Sequence, residues 1–298
     1  MSDRTVAQVA QVRRFNRVVT ERVGALSASY MGRDRPLGEA RVLWEIGPDG
    51  CGLARLRARL ALDSGYLSRL LASLQADGLV EVAEDPRDRR ARVARLTPRG
   101  RRERTTLDAH SDELACSLLE PLSTSQRQRL VGAMAEVERL LIATTVRISP
   151  IDPEHPDARY CLAQYTQELN RRSDRAFDPT VGATARPEEV RSPAGAFFVA
   201  YRHGEPIGCG AVKHHSDAPA EIKRMWIAPQ ARGLGLGRRL LRTLETCARE
   251  AGAANGRIET NSDLTEALAL YASAGWEQVE AFNDEPFADR WLQKSFKP

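Results

Sequence analysis

The chain has 298 residues, enough for two ordinary domains, with 42% apolar and 28% charged residues. It has no apolar run near the roughly 18 residues that a membrane helix requires, no continuous apolar stretch at the N-terminus of the kind a secretory signal carries, and five scattered cysteines with no Cys-x-x-Cys pair, so the expectation is a cytoplasmic protein with reduced thiols and without disulfides or a metal site. The net charge of +4 is uneven, because positions 1–150 hold 25 Arg, no Lys and 19 acidic residues while the remainder holds 19 basic and 21 acidic residues, and this directs any nucleic-acid contact to the first half.

Apolar spacing predicts a first helix over 4–30 with Val6, Val9, Phe15, Val19, Val23 and Leu26 as buried positions. A second helix over 40–46 ends at the turn Gly47-Pro48-Asp49-Gly50, and a third passes through Leu53, Leu56 and Leu60. Asp63-Ser64 is an N-cap signal. Behind it Leu67, Leu70, Leu71 and Leu74 form an apolar stripe at i, i+3, i+4, i+7, and the outer face carries small or hydrogen-bonding groups, Ser64, Gly65, Tyr66, Ser68 and Arg69. Two short helices in this order suggest a helix-turn-helix, the alternative being a surface helix of any all-α protein.

Residues 79–82 and 92–97 then read as two strands flanking a charged hairpin tip. Arg87, Arg89 and Arg90 at that tip suit a narrow, electronegative minor groove. The string Asp85-Pro86-Arg87-Asp88-Arg89-Arg90, followed by Leu96-Thr97-Pro98-Arg99-Gly100, resembles the wing of MarR-type winged-helix repressors, D-x-R-D-x-R and then L-T-x-x-G, over residues 40–100. The resemblance implies a double-stranded DNA operator contacted by Ser64, Gly65, Tyr66, Ser68, Arg69, Arg87, Arg89 and Arg90, and a homodimer paired through the terminal helices of the domain. RNA is disfavoured, since helix and wing lack exposed aromatic platforms.

Helices are predicted over 98–119 and 123–145, the second with Leu130, Met134, Val137, Leu140 and Leu141 on one stripe. Ser149-Pro150-Ile151-Asp152-Pro153 marks the boundary between a domain over 1–146 and one over 147–298, with 146–148 opening the first strand of the second. A helix over 155–170, a long polar loop over 173–193, and strands over 196–201 and 206–213 come next. The strand over 221–227 is ended by Ala228-Pro229. Gly233, Gly235 and Gly237 follow, then a helix with Leu236, Leu240, Leu241, Leu244 and Ala248 that stops at Gly252. After a strand over 256–260, Asp263-Leu264-Thr265-Glu266 reads as a capping box opening a helix that Gly275 ends. Strands over 276–282 and 290–296 complete the chain.

Three alternating glycines let the backbone curl and gather N–H groups at a helix N-terminus, a ready site for phosphate or pyrophosphate. The dinucleotide fingerprint is excluded because Arg238 stands where it needs Gly, and the Walker loop because no Gly-Lys-Ser/Thr follows. Gln230-Ala231-Arg232-Gly233-Leu234-Gly235, continuing Leu236-Gly237, resembles motif A of the GNAT acetyltransferases, Gln/Arg-x-x-Gly-x-Gly/Ala, and with the element order the resemblance covers about 147–298. The expected architecture is therefore α+β and two-domain: a mostly α winged helix-turn-helix, then an α/β GNAT fold with a mixed central sheet.

That second resemblance implies acetyl-CoA as cofactor. Its pyrophosphate would meet the turn through Gln230, Arg232, Gly233, Leu234, Gly235, Leu236, Gly237 and Arg238, and its pantetheine arm and thioester would meet Met225, Trp226 and Ile227. An ammonium acceptor must lose a proton to a carboxylate. In the family a Glu at the position of Glu221 often takes it, and Glu259 is the alternative. Tyr271, in Leu270-Tyr271-Ala272-Ser273-Ala274-Gly275-Trp276, matches the family segment Leu-Tyr-x-x-x-Gly-Phe, whose Tyr protonates the departing thiolate. Leu264 stands where many members have a cofactor-contacting Asn, so either Asn261 substitutes or the contact is absent. Tyr165, Phe177, Phe282, Asn283, Phe287 and Trp291 are candidates for lining the acceptor pocket. The combined expectation is a DNA-binding transcriptional regulator fused to an N-acetyltransferase that acetylates an amine, of a small molecule or a protein lysine, by direct attack in a ternary complex. The alternative is a repressor whose second half is a non-catalytic sensor of acetyl-CoA or another ligand.

Overall fold

A computed structural model describes residues 3–25, 35–85, 91–173 and 185–296 and divides the chain into two units, Met1–Gly132 and Ala133–Pro298. The first unit contains α1 (Asp3–Arg22), α2 (Leu37–Ile46), β1 (Cys51–Gly52), α3 (Leu53–Leu60), α4 (Ser64–Ala76), β2 (Val80–Glu84), β3 (Arg92–Leu96) and α5 (Pro98–Leu119). Its sheet is antiparallel in the order β1-β3-β2. The leucine stripe of α4 is buried against Val42, Leu43, Ile46 and Leu56, as its period demands, and the Asp63 carboxylate caps the helix by accepting from the Tyr66 N–H at 2.8 Å.

The Leu96-Thr97-x-x-Gly100 signature has a packing cause. Leu96 is in the core, and the Thr97 hydroxyl both donates to the Gly78 carbonyl at 2.7 Å and caps α5 by accepting from the Gly100 N–H at 3.0 Å. A Cβ at position 100 would stand 2.0 Å from the Leu79 carbonyl oxygen, so only glycine lets α5 come this close to β2.

One expectation for this unit is overturned. Val6, Val9, Phe15 and Val19 are exposed, at 39–52%, because no surface within the described residues covers that side of α1; Val23 is half-buried, and Leu26 lies outside the described residues. The next helix, α6 (Thr124–Thr145), repeats the pattern, with Met134, Leu140 and Leu141 each more than half exposed. Periodicity locates an apolar face, but it does not say which chain covers it.

After α6 come β4 (Arg147–Pro150), α7 (Pro156–Arg172), β5 (Gly195–Arg202), β6 (Glu205–Lys213), β7 (Ala220–Ile227), α8 (Leu236–Glu250), β8 (Asn255–Thr260), α9 (Thr265–Ser273), β9 (Glu277–Val279) and β10 (Arg290–Ser295). The strands form one mixed sheet in the order β4-β5-β6-β7-β8-β10-β9, in which β7 and β8 are the parallel pair. Leu240, Leu241, Leu244 and Ala248 press α8 onto the sheet, and at Gly210 a Cβ would meet the Leu244 side chain at 2.7 Å.

Three expectations change here. Ser149 and Pro150 are not linker but the end of β4, where they pair with Val199 and Phe198. The strand expected over 276–282 keeps only three residues and is an edge strand, since β10 inserts between it and β8. The capping box does not form: α9 starts from Leu264 without a side-chain cap, because the Glu266 carboxylate is drawn to Arg172 at 2.7 Å.

Candidate functional site

The site begins where the sheet comes apart. β7 and β8 pair only at Ala220–Gly256 and Glu221–Arg257. Beyond these pairs β7 bulges: Lys223 to Trp226 on β7 spans the same register as Ala211 to Cys209 on β6, and Arg224 takes a left-handed backbone with φ 55°. The Arg224 carbonyl is turned to the Cys209 thiol, which donates to it at 3.4 Å. The parted strands leave a cleft of about 430 Å³ floored by Met225, Trp226 and Ile227.

The glycine turn closes one end of this cleft. Gly233 and Gly235 have φ of 74° and 70°, a region that residues with a Cβ seldom enter, and Gly235 stands at the N-cap of α8 with no side chain to offer. The first bond into the helix runs from the Arg239 N–H to the Gly235 carbonyl. The N–H groups ahead of it are the ones that a helix leaves unpaired, and they carry the positive end of its dipole. Gly233, Gly235, Leu236, Gly237, Arg232 and Arg238 line the cleft; Gln230 is exposed and Leu234 half-buried, both outside its wall.

Beneath the turn lies Glu168, a buried carboxylate on α7. It accepts from the Trp226 indole N–H at 2.9 Å and from Arg232, and it pairs with Arg172 at 3.0 Å. Burial would push its carboxyl up, but the hydrogen bonds from Arg232 and Trp226 overcome this and hold it below the ordinary value. Glu168 thus holds three of the cleft-lining side chains, Trp226, Arg232 and Arg172. Its signal in the sequence was a carboxylate beside Tyr165 and Leu169 on the apolar face of α7.

The cleft continues into an inner cavity between β7, β8 and the loop before β10. Tyr165, Leu169, Met225, Leu264, Ala267 and Tyr271 belong to the walls of both. Tyr271 is buried, its hydroxyl 3.9 Å from the Met225 sulfur, and burial pushes its pKa well above the ordinary tyrosine value. Burial also pushes Tyr165 up to about 12.

Three charged groups meet at the closed end. The Lys223 ammonium is buried between the Glu221 carboxylate at 3.1 Å and the Glu259 carboxylate. Glu221 also meets His215 at 3.2 Å and is not in the cavity wall. Its burial favours the neutral acid, but the Lys223 charge dominates and lowers its pKa. Glu259 is in the wall. Burial raises its pKa further than Lys223 lowers it, and its Oε2 is buried without a hydrogen-bond partner among the described residues. Lys223 was not among the sequence candidates.

Asn261 lines the inner cavity rather than the cleft by the glycine turn; its Nδ2 donates to the Phe287 carbonyl at 3.1 Å and its Oδ1 accepts from the Asp263 N–H at 2.8 Å. Of the acceptor-pocket candidates, Tyr165 and Phe287 line the cavity, whereas Phe282 stacks with Arg257 and Trp291 donates to Asn283. Phe177 lies outside the described residues.

In the first unit, Ser64, Gly65, Tyr66, Ser68 and Arg69 are exposed on one side of α4 while the leucines face the core, and the Arg69 guanidinium lies 5.6 Å from the centre of the Tyr66 ring. Arg87, Arg89 and Arg90 fall outside the described residues.

A mixed sheet parted beside a glycine-rich helix N-terminus, with carboxylates at the closed end, is the site of an acyltransferase. Comparison with known proteins gives the same class. A GNAT acetyltransferase domain model matches residues 193–278, and a MarR family model matches residues 33–91. The chain is similar to the IAA acetyltransferase of Azospirillum brasilense, 33% identical over 116 residues that make up 39% of this chain and 76% of that protein. Among solved structures it is similar to YncA of Salmonella typhimurium with its cofactor acetyl-CoA (TM-score 0.40, 19% identity, 51% of this chain and 95% of that one). It is also similar to a probable transcriptional regulator of Pseudomonas aeruginosa (TM-score 0.37, 26% identity, 43% of this chain and 96% of that one).

The chain belongs to the GNAT acetyltransferase family. It joins a MarR-type segment to an acetyl-CoA-dependent N-acetyltransferase domain. Among the described residues no helix is long and apolar enough to cross a membrane.

Proposed function

We propose that this protein is a cytoplasmic DNA-binding regulator whose second domain, residues 147–298, transfers the acetyl group of acetyl-CoA to an amine by direct attack in a ternary complex. Acetyl-CoA supplies an activated acyl carbon on a good leaving group. The free N–H groups of the glycine turn, with Arg232 and Arg238, hold its pyrophosphate. The bulged β7 backbone at Met225 and Trp226 holds the pantetheine arm and polarises the thioester carbonyl.

Glu259, not Glu221, is the base in this reading. The carrying observation is the continuity of the cleft with a cavity whose wall contains Glu259 and excludes Glu221. A carboxyl raised by burial has a pKa nearer neutrality, where a general base works best, and Glu221 is committed to Lys223 and His215. Tyr271, kept protonated by its burial, returns a proton to the departing sulfur. Calorimetric titration of acetyl-CoA, followed by an amine screen with the wild type and Glu259→Gln, tests this. Saturable binding in both, with turnover lost only in the variant, is expected. Unchanged turnover in Glu259→Gln removes the residue from the mechanism.

For the first domain, residues 1–146, α4 is the recognition helix and presents Ser64, Gly65, Tyr66, Ser68 and Arg69 to a DNA major groove, and Arg87, Arg89 and Arg90 are further DNA contacts. The exposed apolar faces of α1 and α6 pair with a second copy, and the dimer sets two recognition helices on a palindrome.

A further inference from the structure

Arg172, the last residue of α7, joins two walls of the cleft. Its Nε pairs with Glu168 on its own helix at 3.0 Å, and its two terminal nitrogens fork onto the Glu266 carboxylate of α9 at 2.7 and 3.4 Å. The two carboxylates are held differently. Glu168 is 8% exposed and tied also to Trp226 and Arg232, so it stays in place. The Glu266 side chain is 67% exposed, and its ion-pair partner among the described residues is Arg172. An exposed pair contributes little, so it parts readily when another anion competes. With Glu266 swung out, Glu168 still holds the Arg172 Nε, and the guanidinium keeps its position with its terminal N–H groups released. A planar fork takes the oxygens of a phosphate as it takes those of a carboxylate. Arg172 and Arg232 also meet on the same Glu168 carboxylate, which sets Arg172 one carboxylate away from the residue that opens the glycine turn. Among the described residues lining the cleft, Arg172, Arg232 and Arg238 face two carboxylates; with Glu266 out, only the buried Glu168 remains against them.

We propose that Arg172 is a phosphate ligand of the cleft and Glu266 its displaceable counter-ion: an entering pyrophosphate takes over the guanidinium fork that the Glu266 carboxylate occupies in the free protein. This rests on the cofactor reading above, in which the pyrophosphate of acetyl-CoA lies at the glycine turn. No covalent bond changes in the exchange. An ion pair within the chain is traded for one to the ligand, so the affinity gained is the difference between the two. A ligand with a pyrophosphate gains a third guanidinium beside Arg232 and Arg238. A ligand without phosphate has nothing to offer the fork, and the Arg172–Glu266 pair stays closed against it.

Calorimetric titration of acetyl-CoA, dephospho-acetyl-CoA and inorganic pyrophosphate into the full-length protein and its variants tests this. Glu266→Gln removes the competing charge and leaves the fork, and it should tighten acetyl-CoA and its dephospho form about threefold to fivefold, the scale of an exposed ion pair. Arg172→Gln should weaken both about tenfold, the effect of roughly one charge contact. Arg172→Lys, which keeps the charge without the fork, should fall between. Glu266→Gln added to Arg172→Gln should bring no tightening. Unchanged or weaker binding in Glu266→Gln, or wild-type affinity in Arg172→Gln, overturns the exchange. Effects present with acetyl-CoA and absent with its dephospho form put the 3′-phosphate on the fork and overturn the pyrophosphate assignment. Inorganic pyrophosphate separates the two ideas. If the wild type binds it, Glu266→Gln binds it more tightly and Arg172→Gln loses it while no acetyl-CoA binds, the counter-ion stands and the acetyl-CoA reading falls. If the wild type binds neither, both fall.

Discussion

Lys223 is the residue on which the proposed chemistry turns. It is buried between two carboxylates and moves them differently: Glu221 is pulled below the ordinary glutamate value, while Glu259, in the less polar setting of the cavity, stays above it. Because the Lys223 charge lowers the pKa of Glu259, removing that charge must raise it. Lys223→Met is therefore expected to move the rising limb of the kcat/KM profile to higher pH. A limb that stays in place, or moves to lower pH, would mean that another group sets it. Tyr271→Phe keeps the ring in its packed position and removes the only proton Tyr271 can give, so kcat should fall by about 10²-fold or more with little change in the Kd for acetyl-CoA. Equal kcat in wild type and variant would show that the sulfur is protonated by other means.

At the scale of elements, two glycines do opposite work and predict opposite phenotypes. Gly100 has no room: a Cβ there would stand 2.0 Å from the Leu79 carbonyl oxygen, so Gly100→Ala forces α5 off β2, with an expected loss of about 1–3 kcal/mol by denaturant unfolding. Gly235 has room, with nothing within 4 Å of where its Cβ would be, but it has a left-handed φ. Gly235→Ala should cost about 1–2 kcal/mol of backbone strain. Gly235→Glu adds a negative charge where a pyrophosphate is proposed to bind, and acetyl-CoA affinity should be lost in a protein that still folds. Retained affinity would move the cofactor site elsewhere.

The parted β7–β8 pair belongs to the same scale. A strand with the composition of 220–227 reads from sequence as a regular, buried strand. Its left-handed residue is Arg224, not a glycine, so no residue type announced the bulge. Register decided it: β6 and β7 run out of step across Gly210, and the parallel neighbour leaves after two pairs.

At the scale of the whole chain, the two units have separate cores. A ligand held in one of them should stabilise that one. Acetyl-CoA at 100 times its Kd is expected to add about 2.7 kcal/mol, and a calorimetric scan should show one transition rising and one staying still. A single transition that rises as a whole would mean the units unfold together. The exposed faces of α1 and α6 make a second expectation: if they pair in the proposed dimer, Phe15→Asp with Leu140→Asp should give a monomer by sedimentation and weaken the proposed binding to a palindromic operator. A wild type already monomeric at micromolar concentration would remove dimerisation from the account.

Much of this was legible in the linear chain because local physics speaks there. The leucine stripe of α4, the Asp63 cap, the Leu96-Thr97-x-x-Gly100 corner and the glycine turn each depend on neighbours within a few residues, and each formed in place. The choice of base is different: the family resemblance points to Glu221, on the strand leading to the turn, with Glu259 on the next strand as the alternative, and nothing local separates the two. Tertiary structure decided what depends on distant partners. It drew Glu266 away from its capping role to Arg172, set Glu168 under Trp226 and Arg232 from 58 and 64 positions away, and inserted β10 between β8 and β9. It also put Glu259 and Glu285, rather than Glu221, around the inner cavity. Charge and burial act through space, so the environment of a carboxylate cannot be read from its position along the chain.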